Sequence, residues 1–305
     1  MSTALDSQKA AKGLVWLILF LLTSLLLGQA FMLFFLTTTL GTEQAEALIA
    51  MPTRFPEYKT HLTLALGISH LTAFILPSFF FWKFMDTGEG TSGIRFNQPL
   101  SLISTGAIIL LILVALPFVG WSGELNKSMT FPESWADLER SLTQMEEEAA
   151  RLSEMMLKID NLAGLFLALL VLAVLPAIGE EMIFRGLIQG KLQVIIKNHH
   201  IAIWLAAFVF SAMHLQFYGF LPRLFLGAFF GYLYVWSGNI LVPILAHLAN
   251  NASVVLLAYS FEGGLTQENI NKSMESMTWY MGLSSMVLAL LIGFWLKKHW
   301  SEAHH

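Results

Sequence analysis

The chain has 305 residues, of which 56% are hydrophobic and only 12% are charged, and its net charge is −4. Soluble domains average about 25% charged residues, so this composition excludes an ordinary soluble protein and indicates a polytopic membrane protein. The sequence contains no basic tract that would indicate a nucleic-acid partner. It also contains no cysteine, which excludes disulfides, thiolate zinc sites and a cysteine nucleophile.

Long apolar runs set the predicted architecture. A helix needs about 20 apolar residues to cross a hydrocarbon core of about 30 Å. The first run follows a polar stretch at residues 1–13 and is too long for a signal-peptide core, so we expect a retained transmembrane helix. We predict an all-α polytopic membrane protein with about eight transmembrane helices around an intramembrane polar cavity. The predicted spans are 14–40, 62–82, 100–121, 162–183, 201–218, 224–236 (a short one), 240–259 and 279–296.

The spans divide the chain into four parts. Residues 1–121 hold three transmembrane helices, 122–160 form an extramembrane acidic segment, 161–260 carry most of the polar residues discussed below, and 261–305 hold a loop and the last helix. Lysine and arginine divide equally between the two sides of the membrane. Discounting the long hydrophilic segment favours cytoplasmic N- and C-termini in a multi-pass protein of the cell membrane.

The acidic segment has the pattern of an amphipathic helix over 130–157. Thr130 and Glu133 have the spacing of a capping box, which predicts the start of the helix. The apolar positions then alternate between three and four residues apart, as in a helix with one apolar face. They are Trp135, Leu138, Leu142, Met145, Ala149, Leu152 and Met156. We expect this helix to pack on the protein's own surface, with self-association or a substrate-gating role left open. Its acidic other face disfavours binding to anionic lipid headgroups.

Two glycine pairs indicate close helix packing. Gly186/Gly190 and Gly227/Gly231 each have the four-residue spacing that lets membrane helices approach closely. They predict a compact bundle around the fourth to seventh spans.

The first polar cluster lies at the end of the fourth span. An ionisable residue at membrane depth is costly and marks a functional site by default. Glu181 and Arg185 are four residues apart, so they share a helical face and can pair. Glu180 is rotated by about 100° and remains available for another partner. Pro176 and Gly179 precede it, where a kink would loosen the backbone and admit water.

Two further clusters follow on later spans. His214 lies in the fifth, and His247 and Asn251 lie four residues apart on one face of the seventh. Each alone is more simply a structural hydrogen bond between helices. Together with the first cluster they predict one convergent polar site. His70 also lies inside a span, but it has no polar neighbour in the sequence and is not assigned to the site.

These residue types suit hydrolysis by activated water. A carboxylate paired with a histidine can hold and deprotonate a water molecule. A nearby positive charge favours an ionised carboxylate, so Arg185 would keep Glu181 ionised and leave Glu180 as the general base. If the helix is broken at Gly179, the two glutamates could exchange these roles. A second histidine and an amide that donate to one point would form an oxyanion hole. The set therefore predicts hydrolysis of a peptide bond.

The three clusters, in this order on successive spans, resemble the motifs of the CAAX protease and bacteriocin-processing family. These are intramembrane glutamic endopeptidases related to the type II CAAX prenyl endopeptidase. The resemblance covers roughly residues 161–259. The matching motifs are Glu180-Glu181-x-x-x-Arg185, Phe210-x-x-x-His214 and His247-x-x-x-Asn251.

The resemblance implies a membrane-embedded glutamic-type protease that needs no cofactor. In it, Glu180 and His214 would activate water, and His247 and Asn251 would stabilise the oxyanion. The second carboxylate and the arginine of the first motif would support the base. The expected partners are the lipid bilayer and a protein or peptide substrate, either lipidated or membrane-inserted.

Two other functions remain open. Glutamate and histidine are acceptable zinc ligands, so a zinc-dependent membrane peptidase is one, although no HExxH pair occurs. The other is a non-catalytic immunity or binding membrane protein, because carboxylate and histidine chains in membranes also serve as proton relays.

Overall fold

The computed structural model describes residues 2–86, 93–96, 100–261, 266, 268–269 and 278–303. These residues form helices and connecting turns without a strand, which confirms the predicted all-α polytopic membrane fold. We number the ten α-helical segments of these described residues in chain order. They are α1 (Ser2–Leu40), α2 (Thr42–Ala50), α3 (Pro56–Met85), α4 (Leu102–Lys127), α5 (Ala136–Leu157), α6 (Leu162–Ile196), α7 (His199–Ala212), α8 (Phe220–Ser237), α9 (Leu241–Ser260) and α10 (Trp279–Ala303).

Seven of the described helices are long and apolar enough to cross a membrane, and α7 is shorter. The predicted lengths of the fifth and sixth spans were therefore wrong. The fifth ends at Ala212 rather than at residue 218. The sixth, predicted to be short, is long enough to cross a membrane, because its apolar helical segment begins at Phe217. The predicted span began after Arg223, because the charged residue interrupts the apolar run. In the fold, its guanidinium bends back and donates to the Gln216 carbonyl at 2.8 Å, so the helix continues through it.

Helix α6 lies at the centre of the bundle and packs against α3, α7, α8 and α9. Every residue from Met182 to Gln189 is buried. The segment Leu175–Glu181 is a regular α-helix, so the backbone is not broken at Gly179. Instead, π-helical turns flank it at Leu169–Val174 and Met182–Gln189. Such widened turns are frequent at functional sites.

The glycine pairs lie where neighbouring segments approach closely. A Cβ atom on Gly190 would lie 2.7 Å from the Cα atom of Gly93. A Cβ atom on Gly227 would lie 3.2 Å from the Cβ atom of Ala207 on α7. The absence of a side chain therefore sets the distance between α6 and the segment around Gly93, and between α8 and α7.

Helix α5 differs from its predicted form at the start. Thr130 does not cap it, because a short 3-10 turn at Glu133–Trp135 precedes the α-helix, which begins at Ala136. Pro132 explains the difference, since a proline disfavours helical conformation in the residue before it. Met156 is buried against residues of α1, α2 and α3, whereas Trp135 and Leu138 are exposed. Self-association through 130–157 stays a prediction.

Gly190→Ala is expected to destabilise the protein by about 1–3 kcal/mol, because the added methyl group meets backbone that cannot move aside cheaply. Thermal unfolding in detergent measures the change. Gly106→Ala is the matched control, since a Cβ atom there has no neighbour within 4 Å. Equal unfolding temperatures for the two variants would contradict the packing described here.

Candidate functional site

A buried ion pair forms the base of the site. Arg185 Nη1 donates to Glu181 Oε1 at 2.7 Å, and Nη2 donates to the Gly227 carbonyl on α8 at 3.0 Å. Both side chains are essentially inaccessible to solvent. The guanidinium carbon also lies 4.8 Å from the ring centroid of Phe210 and 5.5 Å from that of Phe230. The expected pair between neighbouring turns therefore forms, and aromatic faces from two other helices enclose it.

His247 extends this pair towards the second carboxylate. Its Nδ1 lies 2.8 Å from Glu181 Oε1. An ionised carboxylate only accepts hydrogen bonds, so Nδ1 is the donor. Nε2 then faces Glu180 Oε2 at 3.9 Å, and the side chains of His247 and Glu180 are 7% and 15% exposed. The ring stacks on Phe230, with centroids 5.4 Å apart. Four of the predicted site residues thus form one connected chain from Arg185 through Glu181 and His247 to Glu180.

His214 lies in the turn after α7 rather than inside a span. Its Nδ1 lies 2.9 Å from the Phe210 carbonyl and donates to it, which leaves Nε2 as an acceptor when the ring is neutral. Desolvation by the surrounding protein lowers the pKa of His214 to about 4, although the residue keeps an exposed surface. Among the described residues, no hydrogen bond or ion pair joins His214 to Glu180. The histidine that approaches Glu180 most directly is His247.

Asn251 lies one turn after His247 on α9, but its amide contacts the backbone of α6. Nδ2 donates to the Leu172 carbonyl at 3.3 Å. Pro176, four residues after Leu172, has no N–H to give to that carbonyl. Asn251 therefore satisfies a backbone acceptor that the proline leaves without its usual partner.

His70 on α3 borders the site, and sequence reasoning missed it. Its ring stacks on Phe74 with centroids 4.6 Å apart, and Nε2 lies 3.1 Å from the position of a Cβ atom on Gly179. It is also close enough to His247 for the two rings to interact electrostatically. Nε2 is buried, and the histidine also interacts with the backbone of Leu175 on α6. The sequence feature that could have identified His70 is its position at membrane depth, the same criterion that identified Glu180.

The described residues contain no group of three histidine, aspartate or glutamate side chains arranged to hold a metal ion. A zinc site there would need at least three protein ligands around one point. The alternative of a zinc peptidase would therefore require side chains to move.

Comparisons with known proteins agree with the motif pattern. A family model described as "Type II CAAX prenyl endopeptidase Rce1-like" matches residues 162–253. Uncharacterized protein YpbD of Bacillus subtilis (strain 168) is 32% identical over 88 residues, which cover 28% of this chain and 42% of that protein. Membrane-embedded CAAX protease MroQ of Staphylococcus aureus (strain USA300) is 35% identical over 83 residues, which cover 25% of this chain and 33% of that protein.

The matched regions span less than half of the length of either relative. No solved structure matches. The predicted resemblance to the CAAX protease family is confirmed, and the matched region supports a membrane protease. The matched residues contain all six of the predicted site residues, whereas His70 lies outside them.

Arg185→Met is expected to destabilise the protein by about 3–5 kcal/mol, because it leaves the Glu181 carboxylate buried without its cation. Thermal unfolding in detergent measures the loss. Arg140→Met is the control, because Arg140 pairs with Asp137 on the exposed surface of α5 and such pairs contribute little. Similar unfolding temperatures for both variants would show that the buried pair is not required for folding.

His70→Phe is expected to preserve the fold and to lower the turnover of any substrate, because phenylalanine keeps the stacking on Phe74 but removes the nitrogen that faces Gly179. His61→Phe is the control, since His61 lies on the same helix and packs edge-on against Tyr58. Steady-state kinetics of both variants make the comparison. Full activity of His70→Phe would leave His70 with a packing role only.

Proposed function

We propose that this chain is an intramembrane endopeptidase that hydrolyses a peptide bond with water activated by Glu180. One observation carries the proposal, namely the connected chain from Arg185 through Glu181 and His247 to Glu180 inside the family-matched segment. Glu180 alone among the two carboxylates keeps a partly exposed side chain, as a group that meets water and substrate must.

The reaction starts with a water molecule at Glu180. The carboxylate takes a proton as the water oxygen bonds to the carbonyl carbon of the substrate. When the C–N bond breaks, Glu180 returns this proton to the leaving amine nitrogen. The 3.9 Å separation between Glu180 and His247 is longer than a hydrogen bond. Such distances in a free enzyme often shorten when substrate binds.

His247 is suited to stabilising the oxyanion. Its Nδ1–H donates to Glu181 and holds the ring with Nε2 facing Glu180, so that a proton on Nε2 would be directed at the substrate oxygen. Asn251 is one turn away on the same helix and would contribute the second donor by leaving the Leu172 carbonyl. Each such donor typically contributes about 10²–10³-fold to the rate.

We assign His214 as the second residue, beside Glu180, that binds the attacking water. The hydrogen bond to Phe210 directs the Nε2 lone pair outwards, and the lowered pKa, about 4, keeps the ring neutral at neutral pH. A neutral imidazole can accept a proton of the attacking water. His247 is the alternative partner for Glu180, since it lies closer to that carboxylate in the free protein.

The proposed setting follows from the fold and the relatives. The protein is a multi-pass membrane protein, and we place it in the cell membrane with both termini in the cytoplasm. Its substrate would be a protein or peptide that is lipidated or membrane-inserted. The printed name of the Staphylococcus aureus relative, a membrane-embedded CAAX protease, supports proteolysis.

Glu180→Gln is expected to lower cleavage by at least about 100-fold while leaving the protein folded, because the amide cannot accept the proton. Comparative proteomics of membrane-protein fragments, in cells that carry the wild-type protein or the variant, identifies the substrates and measures the loss. Glu302→Gln makes the same chemical change at an exposed position of α10 and is the control. Undiminished fragments with Glu180→Gln would rule out the proposed base.

Metal analysis and complementation of a deletion phenotype separate the two alternative functions, a zinc peptidase and a non-catalytic protein. We expect the purified wild-type protein to keep its activity in a strong chelator, with no stoichiometric zinc by elemental analysis. Zinc that is lost together with activity would instead favour a zinc peptidase. A Glu180→Gln protein that fully restores a deletion phenotype would favour a non-catalytic binding or immunity role.

A further inference from the structure

We propose that a groove at the edge of the site binds the extramembrane segment of the substrate polypeptide, with Leu215 as the residue that contacts it beside the scissile bond. This inference rests on the proposed function and adds where the substrate lies. The groove runs between helix α5 and the turn that carries His214.

The groove is formed by three segments that all lie outside the membrane spans. They are residues 49–54 after α1, residues 145–152 of α5, and residues 214–216 after α7. Its volume is about 850 Å³, at the upper end of the range of ligand pockets. None of these segments belongs to a helix that is long and apolar enough to cross a membrane, so the groove lies beyond the ends of the spans, where a soluble stretch of polypeptide can enter.

His214 connects the groove to the site. The histidine lines the groove and also packs edge-on against Phe210, whose ring lies over the Arg185 guanidinium. A polypeptide in the groove would therefore run past the histidine to which we assign a water-binding role. This continuity makes the groove an approach to the candidate catalytic residues rather than a separate surface cavity.

Leu215 has an unusual backbone conformation. Its φ angle is +54°, in the left-handed region that is uncommon for a bulky residue, and its side chain is 67% exposed in the groove. Arg223 holds the turn by donating to the Gln216 carbonyl, and Ser211 Oγ donates to the Phe220 carbonyl. Backbone strain of this kind persists where the surroundings enforce it, and it clusters at functional sites.

Glycine adopts a positive φ angle without strain, so folding does not explain an exposed leucine at this position. What the leucine adds is an apolar surface next to His214. The groove also carries Arg54, Glu148 and Arg151, so its lining mixes charged and apolar side chains. This mixture suits an extended peptide with an apolar residue at the position facing Leu215. It does not suit a lipid acyl chain, which would desolvate the charged groups.

The decisive variant is Leu215→Gly. It relieves the backbone strain and removes the apolar contact, so the unfolding temperature should stay equal or rise while KM increases by about tenfold, the effect of losing one buried leucine contact. The probe is a set of quenched fluorescent peptides in which one central position is Leu, Phe, Ser or Asp. The increase in KM should be confined to the peptides with Leu or Phe.

Lys197→Gly is the matched control. Lys197 is the other described non-glycine residue with a positive φ angle, +58°, and it lies at the end of α6 away from the groove. The same relief of strain should leave KM unchanged.

A second pair of variants tests whether the substrate occupies the groove. Ala149→Trp fills it and should raise KM, whereas Ser153→Trp on the exposed side of α5 should not.

An unchanged KM for both Leu215→Gly and Ala149→Trp would overturn the groove proposal while the proposed function stands. A wild-type protein that cleaves none of these peptides would also overturn it, because a groove open to water must admit a water-borne segment. Neither result bears on Glu180, whose role is decided by the fragments found in cells. An equal rise in KM with Lys197→Gly would assign the effect to backbone flexibility and would likewise overturn the proposal.

Discussion

The buried pair of Glu181 and Arg185 is the interaction on which the rest of the site depends. Each charge would cost several kcal/mol if it lost its partner in a medium without water. The pair therefore needs α7 and α8 around it, since these supply the Phe210 and Phe230 rings and the Gly227 carbonyl. Through Glu181 the pair also fixes His247 on α9. One electrostatic requirement thus sets the positions of four helices.

The backbone of α6 is adapted to this requirement. Two π-helical segments flank the two glutamates, and Pro176 leaves the Leu172 carbonyl without the N–H that usually comes from four residues further on. Asn251 from α9 supplies that donor, and His70 from α3 packs against Gly179. The irregular backbone is tolerated inside the membrane because neighbouring helices satisfy it. The same neighbours bring polar side chains to the two glutamates, so the residues that pack against α6 are also those of the proposed chemistry.

The outer edge of the site is built differently from its base. Around Glu181 and Arg185 the side chains are packed and inaccessible, whereas His214 and Leu215 lie in a turn that meets α5 across an open groove. The buried part of the site is therefore rigid and preorganised, and the part around His214 and Leu215 is open to water. A hydrolase inside a membrane needs both properties, because the charges must be held in place and water must still reach the scissile bond.

The sequence by itself determined the features that depend on local spacing. Composition and apolar runs predicted an all-α membrane protein, and the four-residue spacing predicted the pair of Glu181 with Arg185. Local spacing also placed His247 and Asn251 on one face of α9. The length of α7 was predicted wrongly, because the turn that ends it is held by Arg223 from the next helix.

Only the tertiary structure decided which of these groups meet. It placed His247 rather than His214 beside Glu180, turned Asn251 towards the Leu172 carbonyl, and brought His70 to Gly179. His247 and Glu181 are 66 residues apart in the chain. Contacts over such separations depend on how helices rotate and pack against one another, which periodicity within one helix does not specify.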